Sequence, residues 1–114
     1  MSSRPSRSEV WLADLDPTRG HEQRGTRPVL VVSTDKFNHG PSGLVIVAPI
    51  TKRDRDIPVH VRIDPPQGGC TVTSYVLCDA LRSISRDRLI KLRGTVDNKT
   101  MAEVAYALCA LMDL

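Results

Sequence analysis

The sequence predicts a small, mainly β fold: a curled sheet or barrel of five or six short strands, closed by a C-terminal helix. Three observations carry that expectation. PVLVVS at 28–33 and LVIVAPIT at 44–51 are apolar, rich in β-branched residues and too short for ordinary helices, which is the pattern of strands buried on both faces. Clusters of Gly, Pro, Asn and Asp punctuate the chain at short intervals. Only residues 100–114 carry a clear helical period.

Taken in order, residues 1–7 have the composition of a flexible tail, leaving 8–114 as one domain. EVWLADLD (9–16) alternates as a strand, which Pro17 stops, and a polar loop follows. The two apolar strands are separated by the turn-forming NHGPSG (38–43). KRDRD (52–56) reads as a solvated loop, and IPVHVRID (57–64) as a half-exposed strand with Ile57, Val59, Val61 and Ile63 on one face. PPQGG (65–69) is a turn. CTVTSYVLCDALRSI (70–84) is a strand that bends or ends near Asp79, and LIKLRGTV (89–96) is a short strand behind a helical turn at SRDR (85–88). The final helix opens with a Thr100/Glu103 capping box and sets Met101, Val104, Leu108, Leu111 and Met112 on one stripe.

With 114 residues, 40% of them hydrophobic, the chain can bury one core but not two. One Trp, one Phe and two Tyr are too few for an aromatic stacking platform, so nucleic-acid recognition would rest on Arg, His and backbone groups. A net charge of +3 permits a polyanionic partner without demanding one; twelve of the sixteen basic residues are Arg, whose planar fork matches phosphate oxygens. Three cysteines without metal spacing indicate neither a disulfide framework nor a zinc site and point to a reducing interior, with Cys78 and Cys109 as small buried hydrophobes. His39 and His60 have no partners at metal-ligand spacing and read as surface or partly buried histidines. Neither a secretory apolar segment nor a membrane-length run is present, so the expectation is a cytoplasmic protein with no membrane partner.

SEVWLADLDPTRGHEQRGTRPVLVVS (8–33), followed by VAPIT (47–51), VLCDALRSI (76–84) and the final helix, resembles the MazF/PemK/Kid family of bacterial toxin endoribonucleases. The order and spacing of all four blocks agree from about Glu9 to the C-terminus. The resemblance implies an SH3-like barrel with a C-terminal α-helix, a homodimer, cleavage of single-stranded RNA at short sequences without a metal or other cofactor, and a cognate antitoxin that occludes the site.

RNA cleavage without a metal is chemically reasonable because the nucleophile, the ribose 2′-OH, is already attached beside the phosphate it attacks. The protein must accept one proton, supply another and stabilise the charge on phosphorus. Arg27, just before Pro28 at the root of a strand, is the first candidate for clamping the scissile phosphate, and the Thr51 hydroxyl could donate to a phosphate oxygen. By residue type alone they read equally as a solvated loop arginine and a β-branched strand terminus; the resemblance assigns both to the site. His21 and Glu22 have acid-base chemistry, His21 for proton transfer or stabilisation and Glu22 for orienting Arg27 through a charge-assisted pair. Asp79 matches an acidic position of the family and is a candidate base or Arg partner. The family branch that shares GHEQ has an arginine two residues before that acid, where this chain has Leu77, so the scheme with Arg27 and Thr51 is preferred. Candidate RNA-binding residues are Gln23, Arg24, Lys52, Arg53, Ser74 and Arg82. Two rivals use a similar barrel: a CcdB-like toxin that binds DNA gyrase, against which the GHEQ-to-TRPVLVV block argues, and a peptide-binding module, whose grooves are normally lined by the aromatics this chain lacks.

Overall fold

The two apolar runs become the central strands β2 (Thr26–Val31) and β3 (Leu44–Thr51). In the computed structural model, which describes residues 4–16 and 25–114, they are joined by β1 (Glu9–Asp14), β4 (His60–Ile63), β5 (Ser74–Leu77), β6 (Arg82–Ser85) and β7 (Leu89–Thr95). A one-turn helix α1 (Asp35–Asn38) follows β2, and α2 (Asn98–Met112) closes the chain. Every strand pairing is antiparallel, in the order β4-β5-β3-β2-β1-β7 with β6 also on β3. The sheet curls in the manner of a small barrel without closing.

Burial on both faces of β2 and β3 is the reason for their continuous apolar sequences. Val29 and Val31 pack with Val45 and Val47 in one cluster, while Leu30 and Ala48 face a second cluster that α2 covers with Met101, Val104 and Ala107. Each Val, Leu or Met side chain among them contributes about 1.5–3 kcal/mol when removed from water. Pro28 is tolerated in β2 because β3 partners only Val29–Val31, leaving the strand's first residues at an uncovered end of the ladder.

The eight-residue length of β3 organises the rest of the sheet. Its first half pairs with β6, from Leu44↔Ser85 to Val47↔Arg82, and its end pairs with β5 through Ile50↔Val76 and Thr51↔Tyr75. The stretch expected to bend near Asp79 is thus two strands separated by a 3-10 turn over Cys78–Ala80, and the described residues form seven strands where five or six were expected. Ile57 and Pro58 lie outside β4, which starts only at His60, because a turn precedes it in which the His60 N–H donates to the Ile57 carbonyl at 2.9 Å.

Three further expectations are corrected. The cap of α2 is Asp97, whose carboxylate accepts the Thr100 N–H at 2.8 Å; Thr100 is itself inside the helix and buried, its hydroxyl donating to Gln67 Oε1 at 3.2 Å. The helix outruns the sheet, so Leu111, Met112 and Cys109 are exposed. Within the expected tail, Pro5 is buried, His39 Nε2–H donates to its carbonyl at 2.7 Å, and the Arg7 N–H donates to Asp35 Oδ1 at 2.7 Å; this anchors residues 5–7 against α1. Among the described residues no helix is long and apolar enough to cross a membrane.

Candidate active site

Arg27 stands in the second position of β2, opposite Ala13 of β1, and Thr51 is the last residue of β3. The antiparallel pairing of β2 and β3 sets the start of one strand beside the end of the other, and both residues line one cavity of about 440 Å³. Lys52 and Arg53 continue from β3 along its wall, Ser74 enters from the start of β5, and Arg93 comes from β7. The remaining wall is the segment Gly68–Val72, with Pro28 and Ile50 from the two strands. Five of the residues expected from the sequence, Arg27, Thr51, Lys52, Arg53 and Ser74, are therefore brought together by the fold.

The lining is electrostatically one-sided. Arg27, Lys52, Arg53 and Arg93 are cationic, Thr51, Thr71 and Ser74 carry hydroxyls, and among the described residues no carboxylate lies on the wall. Asp64, at the beginning of the turn that leads to Gly68, is held away by other partners: Arg62 Nε and Thr73 Oγ1 each donate to Asp64 Oδ1 at 3.0 Å, which keeps its carboxyl below the usual carboxylate range. Thr51 Oγ1 accepts the Arg53 N–H at 3.2 Å, a bond that fixes the hydroxyl oxygen and leaves its hydrogen to donate elsewhere. The buried Ser74 hydroxyl donates to the Val72 carbonyl at 3.0 Å and shapes the wall. Four cations and a hydroxyl in a shared concavity have the chemistry to hold phosphate groups.

Asp79 and Arg82 are not on this wall. Asp79 Oδ1 lies 2.7 Å from His60 Nε2, and the His60 side chain is only 5% exposed. This pair was missed in the sequence because the two residues are nineteen apart and meet only through the pairing of His60 with Leu77 in β4 and β5. Leu77, standing where the family branch has an arginine, is buried. Arg82 Nη1 donates to the Leu15 carbonyl at 3.3 Å, and Arg88 Nη1 to the Asp14 carbonyl at 3.2 Å, so both brace the end of β1. Burial, reinforced by neighbouring Asp79, pushes the Cys78 thiol up to about 11, consistent with a small core side chain.

His21, Glu22, Gln23 and Arg24 fall outside the described residues. The chain on either side of them is fixed: the Gly25 N–H donates to Asp16 Oδ1 at 2.9 Å and the Leu15 N–H to the Gly25 carbonyl at 2.9 Å. Asp16 and Gly25 are therefore adjacent, and Gly25 stands two residues before Arg27 in the chain.

A family model described as the PemK-like, MazF-like toxin of type II toxin-antitoxin systems matches residues 6–112. The chain belongs to that family. Among the PemK-like, MazF-like proteins, it is 37% identical over 105 residues to the endoribonuclease MazF of Staphylococcus saprophyticus, an alignment covering 90% of this chain and 86% of the relative. Its fold is similar to the crystal structure of MazF from Deinococcus radiodurans, with a TM-score of 0.87 and 30% identity over 98% of this chain and 99% of the other. It is also similar to MazF in a MazE-MazF structure from the same organism, with a TM-score of 0.80 and 31% identity over 98% of each chain. These matches to PemK-like and MazF-like toxins do not favour the CcdB-like alternative.

Proposed function

We propose that this protein is the endoribonuclease toxin of a type II toxin-antitoxin pair, cutting single-stranded RNA in the cavity between the start of β2 and the end of β3. The observation that carries the reading is the convergence of Arg27, Thr51, Lys52 and Arg53 on one concave, carboxylate-free wall of the described residues, in a chain whose relatives are named endoribonucleases. In the reaction, the 2′-OH loses its proton and its oxygen attacks the adjacent phosphorus; the P–O5′ bond then breaks, and the departing 5′ oxygen takes up a proton. The products are a 2′,3′-cyclic phosphate and a 5′-OH end. Arg27 clamps a non-bridging oxygen as negative charge builds, and the Thr51 hydroxyl donates to another. Lys52 and Arg53 hold neighbouring phosphates. His21 and Glu22, six and five residues before Arg27 in the sequence, are the residues assigned to proton transfer and to orienting its guanidinium. Asp79, engaged with His60, has no part in this scheme.

RNA several nucleotides long outreaches one such cavity, and a two-fold dimer doubles the basic footprint. We assign the working form as a homodimer in the cytoplasm, with the domain spanning residues 8–114. The cognate antitoxin is expected to lay an acidic segment over the same cations, as RNA does. The test is incubation of purified protein with a mixed RNA pool in EDTA, followed by mapping of 5′-OH ends. Cleavage should persist, leave cyclic phosphates and stop when the ribose 5′ to the cut is 2′-deoxy. Cleavage of that deoxy RNA, or dependence on added metal, overturns the mechanism. Arg27→Ala should lower the rate roughly a thousandfold with the fold intact, and wild-type activity in that variant removes the central assignment.

A further inference from the structure

The sequence gives no reason to single out Arg93, a residue in a strand whose outer positions are largely exposed. The structure places it on the same cavity as Arg27 through an unusually close backbone approach. β7 lies against the turn at Gln67–Gly69, and both contact partners are glycines. A Cβ added at Gly69 would sit 2.3 Å from the Arg93 carbonyl oxygen and 3.3 Å from the Arg93 Cβ; one added at Gly94 would sit 2.7 Å from the Gly69 nitrogen. Gly69 also has φ +71, where any other residue is strained. The absence of two side chains thus allows the turn and the strand to touch, and that contact seats Arg93 at the rim of the cavity.

We propose that Arg93 binds a phosphate of the RNA flanking the one held by Arg27, and that Gly69 and Gly94 position it there. The inference rests on the reading of this cavity as an RNA site. Arg93 is exposed, lines the cavity and, among the described residues, is in no ion pair that would hold it elsewhere. Arg27 and Arg93 enter from different strands, β2 and β7, which β1 separates in the sheet. Two arginines so placed suit successive phosphates of one strand better than a single group.

The experiment measures binding of the full chain to a short single-stranded RNA that spans the mapped cut and carries a 2′-deoxy nucleotide 5′ to it. Affinity is followed across a salt series for wild type, Arg93→Gln, Arg93→Lys and Lys99→Ala. Arg93→Gln keeps the aliphatic stem, and its melting curve should match wild type. It should lose about tenfold in affinity at low salt, and its log affinity against log salt should be shallower by about 0.7, one phosphate contact on a single strand. Arg93→Lys should recover the wild-type slope and most of the affinity. Lys99→Ala, a charge removed on α2 away from the cavity, should change neither. Wild-type affinity and slope in Arg93→Gln overturn the proposal, as does an equal loss in Lys99→Ala, which would mean diffuse charge. A wild-type protein that neither binds nor cuts RNA overturns the function reading itself and the role of Arg93 with it.

Discussion

At the scale of single residues, the cavity combines flexible and fixed groups. The Thr51 oxygen is held: it accepts the Arg53 N–H, so the hydroxyl's place is set before any ligand arrives and its hydrogen remains to donate. Thr51→Val keeps the β-branched shape and removes only the hydroxyl. We expect RNA cleavage to fall about a hundredfold, the loss typical of one preorganised donor to a developing oxyanion, with an unchanged melting temperature; an unchanged rate would show that the hydroxyl only braces the loop. Cys78 offers a pH signature elsewhere. Because burial raises its thiol from 9.0 to about 11, the folded chain keeps a proton that the unfolded chain releases. The corresponding stability is complete below pH 9.0 and declines as the pH climbs toward about 11. Urea titrations across that window should show the decline, and Cys78→Ala should flatten it while lowering stability throughout.

Among the elements, one junction shapes a cavity wall and another seats the closing helix. The first is the contact between β7 and the turn ending at Gly69. Gly69→Ala combines a positive φ with a backbone clash, and the atom its Cβ would meet is a main-chain carbonyl oxygen that cannot swing aside, so a destabilisation of about 2 kcal/mol is expected by urea denaturation. A variant as stable as wild type would mean that β7 can withdraw from the turn at no cost. The second is the start of α2, which holds the helix over the core at Val104. Its cap, Asp97, has its carboxyl lowered by the Thr100 N–H and then by the Thr100 side chain, so it stabilises the fold above the ordinary carboxylate range and loses that effect as the pH falls through it. Asp97→Asn should retain the cap and abolish its part of the acid dependence, whereas Asp97→Ala should lower the melting temperature at neutral pH by a few degrees.

For the whole molecule, the basic wall predicts competition. On the proposed reading, antitoxin and RNA both bring negative charge to Arg27, Lys52, Arg53 and Arg93, so adding an acidic antitoxin segment to the labelled RNA complex should release the RNA, and both affinities should weaken with salt. Simultaneous binding of the two would refute a shared groove. Light scattering at micromolar concentration should report a dimer; a stable, fully active monomer would refute the assembly. A dimer that forms while Arg27→Ala abolishes cutting would separate assembly from chemistry.

The family resemblance, not residue type, assigned Arg27 and Thr51 to the site; the sequence by itself determined the periodic elements: continuous β-branched runs for β2 and β3 and a helix at the end of the chain. These are local properties, readable because side-chain period and burial follow directly from neighbouring residues. It misplaced the helix cap by three residues, from Asp97 to Thr100, since both residues are good caps and only the seating of Thr100 against Gln67 chooses between them. It also underestimated residues 5–7, whose anchors, Asp35 and His39, lie far along the chain. Tertiary structure alone decided that Arg93 joins Arg27, that Asp79 meets His60 away from the cavity, and that Arg82 braces β1. Those outcomes depend on strand register and on how closely two glycines let backbones approach, and neither is encoded in the residues that are brought together.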